Sequence, residues 1–107
     1  MAQYQTICET CEIPEGEGRM FVVHGTRVGV FHIGDEFLAL DDRCPHAGAS
    51  LARGYLEGDI VRCRIHHWGF RLRDGVYVDG DNPCHNARSI PVRIVDGQVE
   101  VSVRGLT

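Results

Sequence analysis

The sequence contains no lysine. All 11 positive charges are arginines, set against 15 acidic residues, and the formal net charge is -4. An acidic chain repels polyphosphate, so no nucleic-acid partner is expected. Long apolar runs are missing as well. None approaches the roughly 20 residues that span a bilayer. The opening MAQYQTICETCEIPEGE has no basic start followed by an apolar stretch, as a secretory signal would. The expectation is a cytoplasmic protein with no membrane partner. Helical periodicity is nearly absent too, with only AGASLARG (47–54) showing weak helical character. No dinucleotide fingerprint and no pocket-forming nucleophile can be read, so the chain is not expected to be an enzyme by itself. It starts at methionine and closes on a complete hairpin, so residues 1–107 are expected to be one whole domain, acting as a monomer.

What is present is β pattern. RMFVVH (19–24), RVGVFHI (27–33), EFLAL (36–40), DIVRC (59–63), GFRLR (69–73), VYV (76–78), SIPVRIV (89–95) and QVEVSV (98–103) are rich in branched and aromatic residues. Gly34-Asp35, Asp74-Gly75 and Asp96-Gly97 separate neighbouring runs as hairpin turns do. In the last strand Val99, Val101 and Val103 alternate with polar residues, giving one apolar face and one wet face. The fold class is therefore all-β, an antiparallel sandwich. The middle of the chain differs in character. Residues 42–86 hold three of the five cysteines and four of the six histidines, among many loops. They are expected to form a smaller, loop-rich, metal-bearing subdomain inserted in the sheet scaffold. The same region is basic: Arg43, Arg53, Arg62, Arg64, Arg71 and Arg73 face only Glu57 and Asp59 between positions 43 and 73. Such arginines either pair with carboxylates along strand edges or form a docking face for an acidic partner.

Two short motifs each supply a thiol and an imidazole. Cys44-Pro45-His46 lies in RCPHAG, and Cys63-Arg64-Ile65-His66-His67 lies in CRIHHW. Structural zinc sites with two cysteines and two histidines usually group like with like along the chain. Here the types alternate. Two loops lying side by side could each give a cysteine to one iron and a histidine to the other iron of a two-iron, two-sulfide cluster. With two thiolates and two neutral imidazoles, that cluster is formally neutral when oxidised. Four thiolates would make it more negative by two charges, so the mixed set accepts an electron at higher potential.

C-x-H, sixteen residues, then C-x-x-H resembles the Rieske iron–sulfur proteins. The neighbouring DDRCPHAGASL, GYLEGDIVRC, the GF after the second motif, and the NPC loop leading to IPVRIVDGQVEVSV extend the likeness over essentially the whole chain. The resemblance implies a Rieske fold and one [2Fe-2S] cluster held by Cys44, His46, Cys63 and His66. It selects His66 as ligand and leaves His67 as a solvated neighbour. The small Rieske-type ferredoxins of bacterial oxygenases are the most similar members. They imply a one-electron carrier between a flavoprotein ferredoxin reductase, itself reduced by NAD(P)H, and a terminal oxygenase. CRIHHWGF also resembles ferredoxins of toluene monooxygenases, which keeps a diiron monooxygenase beside an aromatic ring-hydroxylating dioxygenase. The competing readings are a nitrite-reductase small-subunit-like accessory protein and a zinc-binding structural module.

The departures bear on potential. High-potential Rieske proteins have a disulfide between their cluster loops. Ala49 and Ile65 stand at the corresponding positions here. Trp68 and Phe70 occupy positions where those proteins place a serine and a tyrosine whose hydroxyls donate to sulfur. The expected potential lies near the low end of the Rieske range, about -150 mV. Trp68 is expected to shield the cluster loops, Cys84 to pack in the loop that covers them, and Gly48 and Gly80 to permit tight turns there. Cys8 and Cys11 have C-x-x-C spacing but are read as ordinary thiols, and His24, His32 and His85 are given no role.

Overall fold

The computed structural model describes residues 3–45 and 48–103. Among these residues, ten strands form three antiparallel sheets, joined by loops and three short 3-10 turns. The first sheet has the order β1 (Gln5–Glu9), β10 (Gln98–Val101), β9 (Val92–Val95). The second runs β2 (Gly18–Val23), β3 (Thr26–Ile33), β4 (Glu36–Asp41), β8 (Ser89–Ile90). The third runs β5 (Tyr55–Glu57), β6 (Ile60–Arg62), β7 (Gly69–Arg71).

The second sheet is shared by two cores, and the pleat explains how. On β3, Val28 and Val30 point to one side, where they meet Cys8, Ile13, Val99 and Val101. Phe31 points to the other side, with Leu40 of β4, and meets Leu51, Val61, Phe70, Leu72, Cys44 and Cys63. Alternation on β4 does the same, sending Ala39 one way and Leu40 the other. RVGVFHI therefore reads as a nearly unbroken apolar run because both faces of its strand are covered. One face is a plain β-sandwich. The other carries the cysteine loops.

Local chemistry sets the connections. Asp96 and Gly97 both have positive φ (51° and 76°), as a two-residue turn between β9 and β10 requires. The run SIPVRIV is not one strand. Pro91 divides it into β8 in the second sheet and β9 in the first, having no N–H with which to continue either ladder. VYV contributes one bridge, Phe70 to Tyr77, rather than a strand. The weakly helical 47–54 segment yields a 3-10 turn over Leu51–Arg53, and Tyr55–Glu57 adds a short strand that its pattern did not announce.

Phe31 is 1% exposed and forms the floor beneath the loop region. Phe31→Ala is expected to lower unfolding free energy by about 3–5 kcal/mol in urea denaturation. Val22, 63% exposed on β2, serves as control, and Val22→Ala is expected to stay within about 0.5 kcal/mol of the parent.

Candidate metal centre

The first loop hangs from Asp42, a fully buried carboxylate at the end of β4. Its N–H donates to the Arg27 carbonyl (2.8 Å), and its carbonyl accepts from Leu51 N–H (2.7 Å). Its Oδ1 accepts from Ala52 N–H (2.8 Å), while Oδ2 faces the Arg27 guanidinium at 3.5 Å. Asp42 thus fastens both ends of the segment 43–52 to the central sheet. A Cβ on Gly29 would come within 2.7 Å of Asp42 Oδ1, so a glycine is required under the carboxylate. Inside the loop, Cys44 N–H donates to Ala49 O (2.8 Å) and Gly48 N–H to Cys44 O (2.7 Å), with Gly48 at φ 71°. His46 lies outside the described residues.

The second loop joins β6 to β7 and is closed by Cys63 N–H donating to Trp68 O (2.9 Å). His66 and His67 both take left-handed conformations, φ 63° and 61°. Such conformations are disfavoured for residues with a Cβ and need support from their surroundings. Arg62 gives that support. Its Nη1 donates to the His67 carbonyl (3.0 Å) and to Asp79 Oδ2 (3.1 Å), and Nε pairs with Glu57. Asp79 Oδ2 also accepts from Gly69 N–H (2.9 Å). One guanidinium therefore ties together β5, the second loop and the loop after Val78.

His67 is an exposed neighbour of His66, as expected, but has a partner of its own. Its Nδ1 is hydrogen-bonded to the Tyr55 hydroxyl at 2.9 Å. Trp68 is half-buried and packs on Tyr77 (ring centroids 4.5 Å apart) and on His85 (4.9 Å). It is His85 rather than the exposed Cys84 that brings the third loop onto the second. Asn82 accepts from Cys84 N–H and Asn86 from Tyr77 N–H, fixing that loop at both ends. Gly80 does not have a positive φ. A Cβ there would lie 3.1 Å from the Tyr77 ring, so close packing rather than a turn explains the residue.

Cys44 and Cys63 are 2% and 0% exposed and lie close enough for their thiols to interact. Burial pushes the Cys63 thiol above its usual range. Ile65 N–H, 3.4 Å from Cys63 Sγ, pulls the other way, and Cys44 adds to the rise. His66 stands on the exposed side of its loop. The described residues thus separate into two inner sulfurs and an outer imidazole. No three ligand-type side chains converge on a point among the described residues.

A model of the Rieske [2Fe-2S] domain matches residues 3–95. The chain belongs to the Rieske family. The family's cofactor is a two-iron, two-sulfide cluster, and the residues present suit it: two free buried thiols side by side, an N–H directed at one sulfur, and an imidazole at the surface. Among relatives, the biphenyl dioxygenase ferredoxin subunit of Pseudomonas sp. (strain KKS102) is 36% identical over 88 residues, covering 81% of this chain and 80% of that one. Among solved structures, the complex of reduced oxygenase and oxidized ferredoxin in carbazole 1,9a-dioxygenase contains a chain with TM-score 0.82 and 29% identity, matched over 92% of each. A Mycobacterium tuberculosis chain described as the small subunit of an NADH-dependent nitrite reductase has TM-score 0.87 over 95% of this chain and 96% of its own, at 24% identity, a likeness of fold. The Rieske fold is thereby shown, as an all-β architecture of antiparallel sheets.

The sequence motifs did not reveal Asp42, Tyr55, Arg62 or Asp79. Asp42 is adjacent to Asp41 and resembles any solvated acidic pair. Arg62 alternates on a short strand, and nothing in its neighbourhood signals that it reaches Asp79.

The C-x-x-C cysteines separate in space. Cys8 is buried in the first core and Cys11 is exposed. Burial, then the charge of Glu12, pushes the Cys8 thiol from 9.0 up to about 11. Ellman's reagent at pH 8 is expected to label Cys11 and Cys84 in the folded chain, and Cys8 only on unfolding. Because the folded thiol titrates above the unfolded one, its stabilising contribution is intact below pH 9 and is lost as pH rises toward about 11. Cys8 labelling as fast as Cys11 labelling would contradict this assignment.

Proposed function

We propose that the chain is a one-electron carrier whose [2Fe-2S] cluster is held by Cys44, His46, Cys63 and His66. On this reading it is one domain, with residues 42–86 as the cluster-bearing part. The observation that carries the ligand assignment is the division between two adjacent buried thiols and an exposed His66. It fits an inner iron served by cysteines and an outer iron served by histidines. The cluster, when bound, supplies reversible uptake of a single electron.

The chain's own residues do the rest. Cys44 and Cys63 would hold iron as thiolates, and without a metal burial pushes the Cys63 thiol up. Ile65 N–H offsets charge on Cys63 sulfur. Arg62 and Tyr55 hold the left-handed turn that carries His66, and Trp68, Tyr77 and His85 cover one flank. His66 at the surface is the short route for electrons in and out.

The relatives named as dioxygenase ferredoxin subunits support a place between an NAD(P)H-dependent flavoprotein ferredoxin reductase and a terminal oxygenase, with aromatic ring hydroxylation as the process served. The carrier has no catalytic residue of its own and works in the cytoplasm. No helix of the described residues is long and apolar enough to cross a membrane. The nitrite-reductase reading rests on fold likeness at 24% identity, and carries less than the dioxygenase-type relatives at 36%.

Anaerobically purified protein is expected to be red-brown, to show a paramagnetic signal on reduction, and to titrate near about -150 mV, because Trp68 and Phe70 offer the cluster no hydroxyl donors. His66→Ala is expected to abolish the signal, and His67→Ala to retain it. Colourless zinc protein, or loss of the signal in His67→Ala with retention in His66→Ala, would overturn the assignment.

A further inference from the structure

Six arginines fall between positions 43 and 73, and the structure divides them into two sets. Arg62 is paired with Glu57 and Asp79, Arg71 with Asp74 (2.7 Å), and Arg73 with Glu36. Those charges are compensated where they stand. Arg53 and Arg64 form no ion pair with a carboxylate among the described residues. Arg43 reaches only Asp41, at 3.9 Å, with its side chain 65% exposed, a contact of little energetic worth.

All three stand on the segments that carry Cys44 and Cys63: Arg53 and Arg64 share one cleft, and Arg43 lines another with Asn86 and Arg88. Arg43 immediately precedes Cys44, and Arg64 immediately follows Cys63. Arg53 ends the 3-10 turn that closes the first loop, and its carbonyl accepts from Arg64 Nε, so the Arg64 guanidinium lies against the Arg53 backbone. Both line an open cleft of about 760 Å³ with Phe31, Tyr55 and Leu56, where Glu17 is the one opposing charge. Next to Arg64, Ile65 is 44% exposed, an apolar contact at the tip of the second loop. Arg64 and this apolar side chain directly precede the exposed His66, on a protein of net charge -4.

We propose that Arg43, Arg53 and Arg64 form the docking rim of this protein and that its electron-transfer partner presents a carboxylate-rich surface there. The inference rests on the electron-carrier reading above and specifies the partner's chemistry. Charge complementarity is what selects the occupant. Local positive charge on an acidic body orients an approaching acidic protein toward the exposed histidine, while the rest of the surface repels it. An extended nucleic acid would meet that repulsion along its whole length.

Hexacyanoferrate(III), a trianion that takes one electron and becomes hexacyanoferrate(II), is a defined probe. It would be reacted with the reduced holoprotein by stopped flow. If net charge governed the encounter, salt would speed the reaction between two anions. If the rim governs it, raising salt from about 0.02 M to about 0.2 M is expected to slow it about fivefold. R43Q/R53Q/R64Q is expected to reverse the sign of that dependence, whereas R71Q/R73Q keeps it. The redox-inert trianion hexacyanochromate(III) gives a second readout. Its paramagnetic broadening should concentrate on the amides of residues 52–56 and disappear in the triple variant. This readout persists even if no cluster can be loaded, so failure of the carrier reading and failure of the rim are told apart. A wild-type rate that rises with salt, equal behaviour of the two variants, diffuse broadening, or salt-sensitive binding of a short DNA duplex would overturn the proposal.

Discussion

Two cysteine side chains meet where water does not reach them. Cys44 and Cys63 are almost fully buried, adjacent, and free of any disulfide. Burial, and the Cys44 sulfur beside it, push the Cys63 thiol up. A metal would reverse that balance by supplying positive charge beside the sulfur. The arrangement makes sense as a site in which metal binding and deprotonation occur together, and much of the surrounding structure keeps the two sulfurs in register.

That register comes from a sheet used on both faces. β3 and β4 contribute Val28, Val30 and Ala39 to a plain sandwich core, and Phe31 and Leu40 to the floor of the cysteine pocket. The loops are attached to this layer by polar groups. Asp42 fastens the first loop through backbone and carboxylate, and Arg62 holds the second through the His67 carbonyl while gripping Asp79. A half-buried ion pair contributes little net stability as a rule, but removing one partner leaves the other without compensation. Here its value is geometric, since it supports two successive left-handed residues, one of them the proposed ligand His66.

Much of this was legible in the sequence, for physical reasons. Hairpins at Gly34-Asp35 and Asp96-Gly97 were visible because turn chemistry is local. The family and its cluster were visible because the spacing of Cys44, His46, Cys63 and His66 and the text around them are specific. The division of SIPVRIV at Pro91 required knowing that two sheets compete for one segment. The roles of Tyr55, Arg62 and Asp79 are contacts between residues far apart in the chain, which no local pattern encodes. Local charge counting found the basic segment but could not say which arginines were neutralised. That distinction emerged only once Glu36, Glu57, Asp74 and Asp79 were seen against their partners.

The central claim is mixed ligation, sulfur on one iron and histidine nitrogen on the other. Pulsed electron paramagnetic resonance of the reduced protein, grown with ¹⁵N-histidine in an otherwise ¹⁴N background, tests it most directly. Two strongly coupled ¹⁵N nuclei are expected, falling to at most one when His66 is replaced by cysteine or lysine. A reduced centre with no histidine coupling, or two couplings that survive replacement of His66, would contradict it.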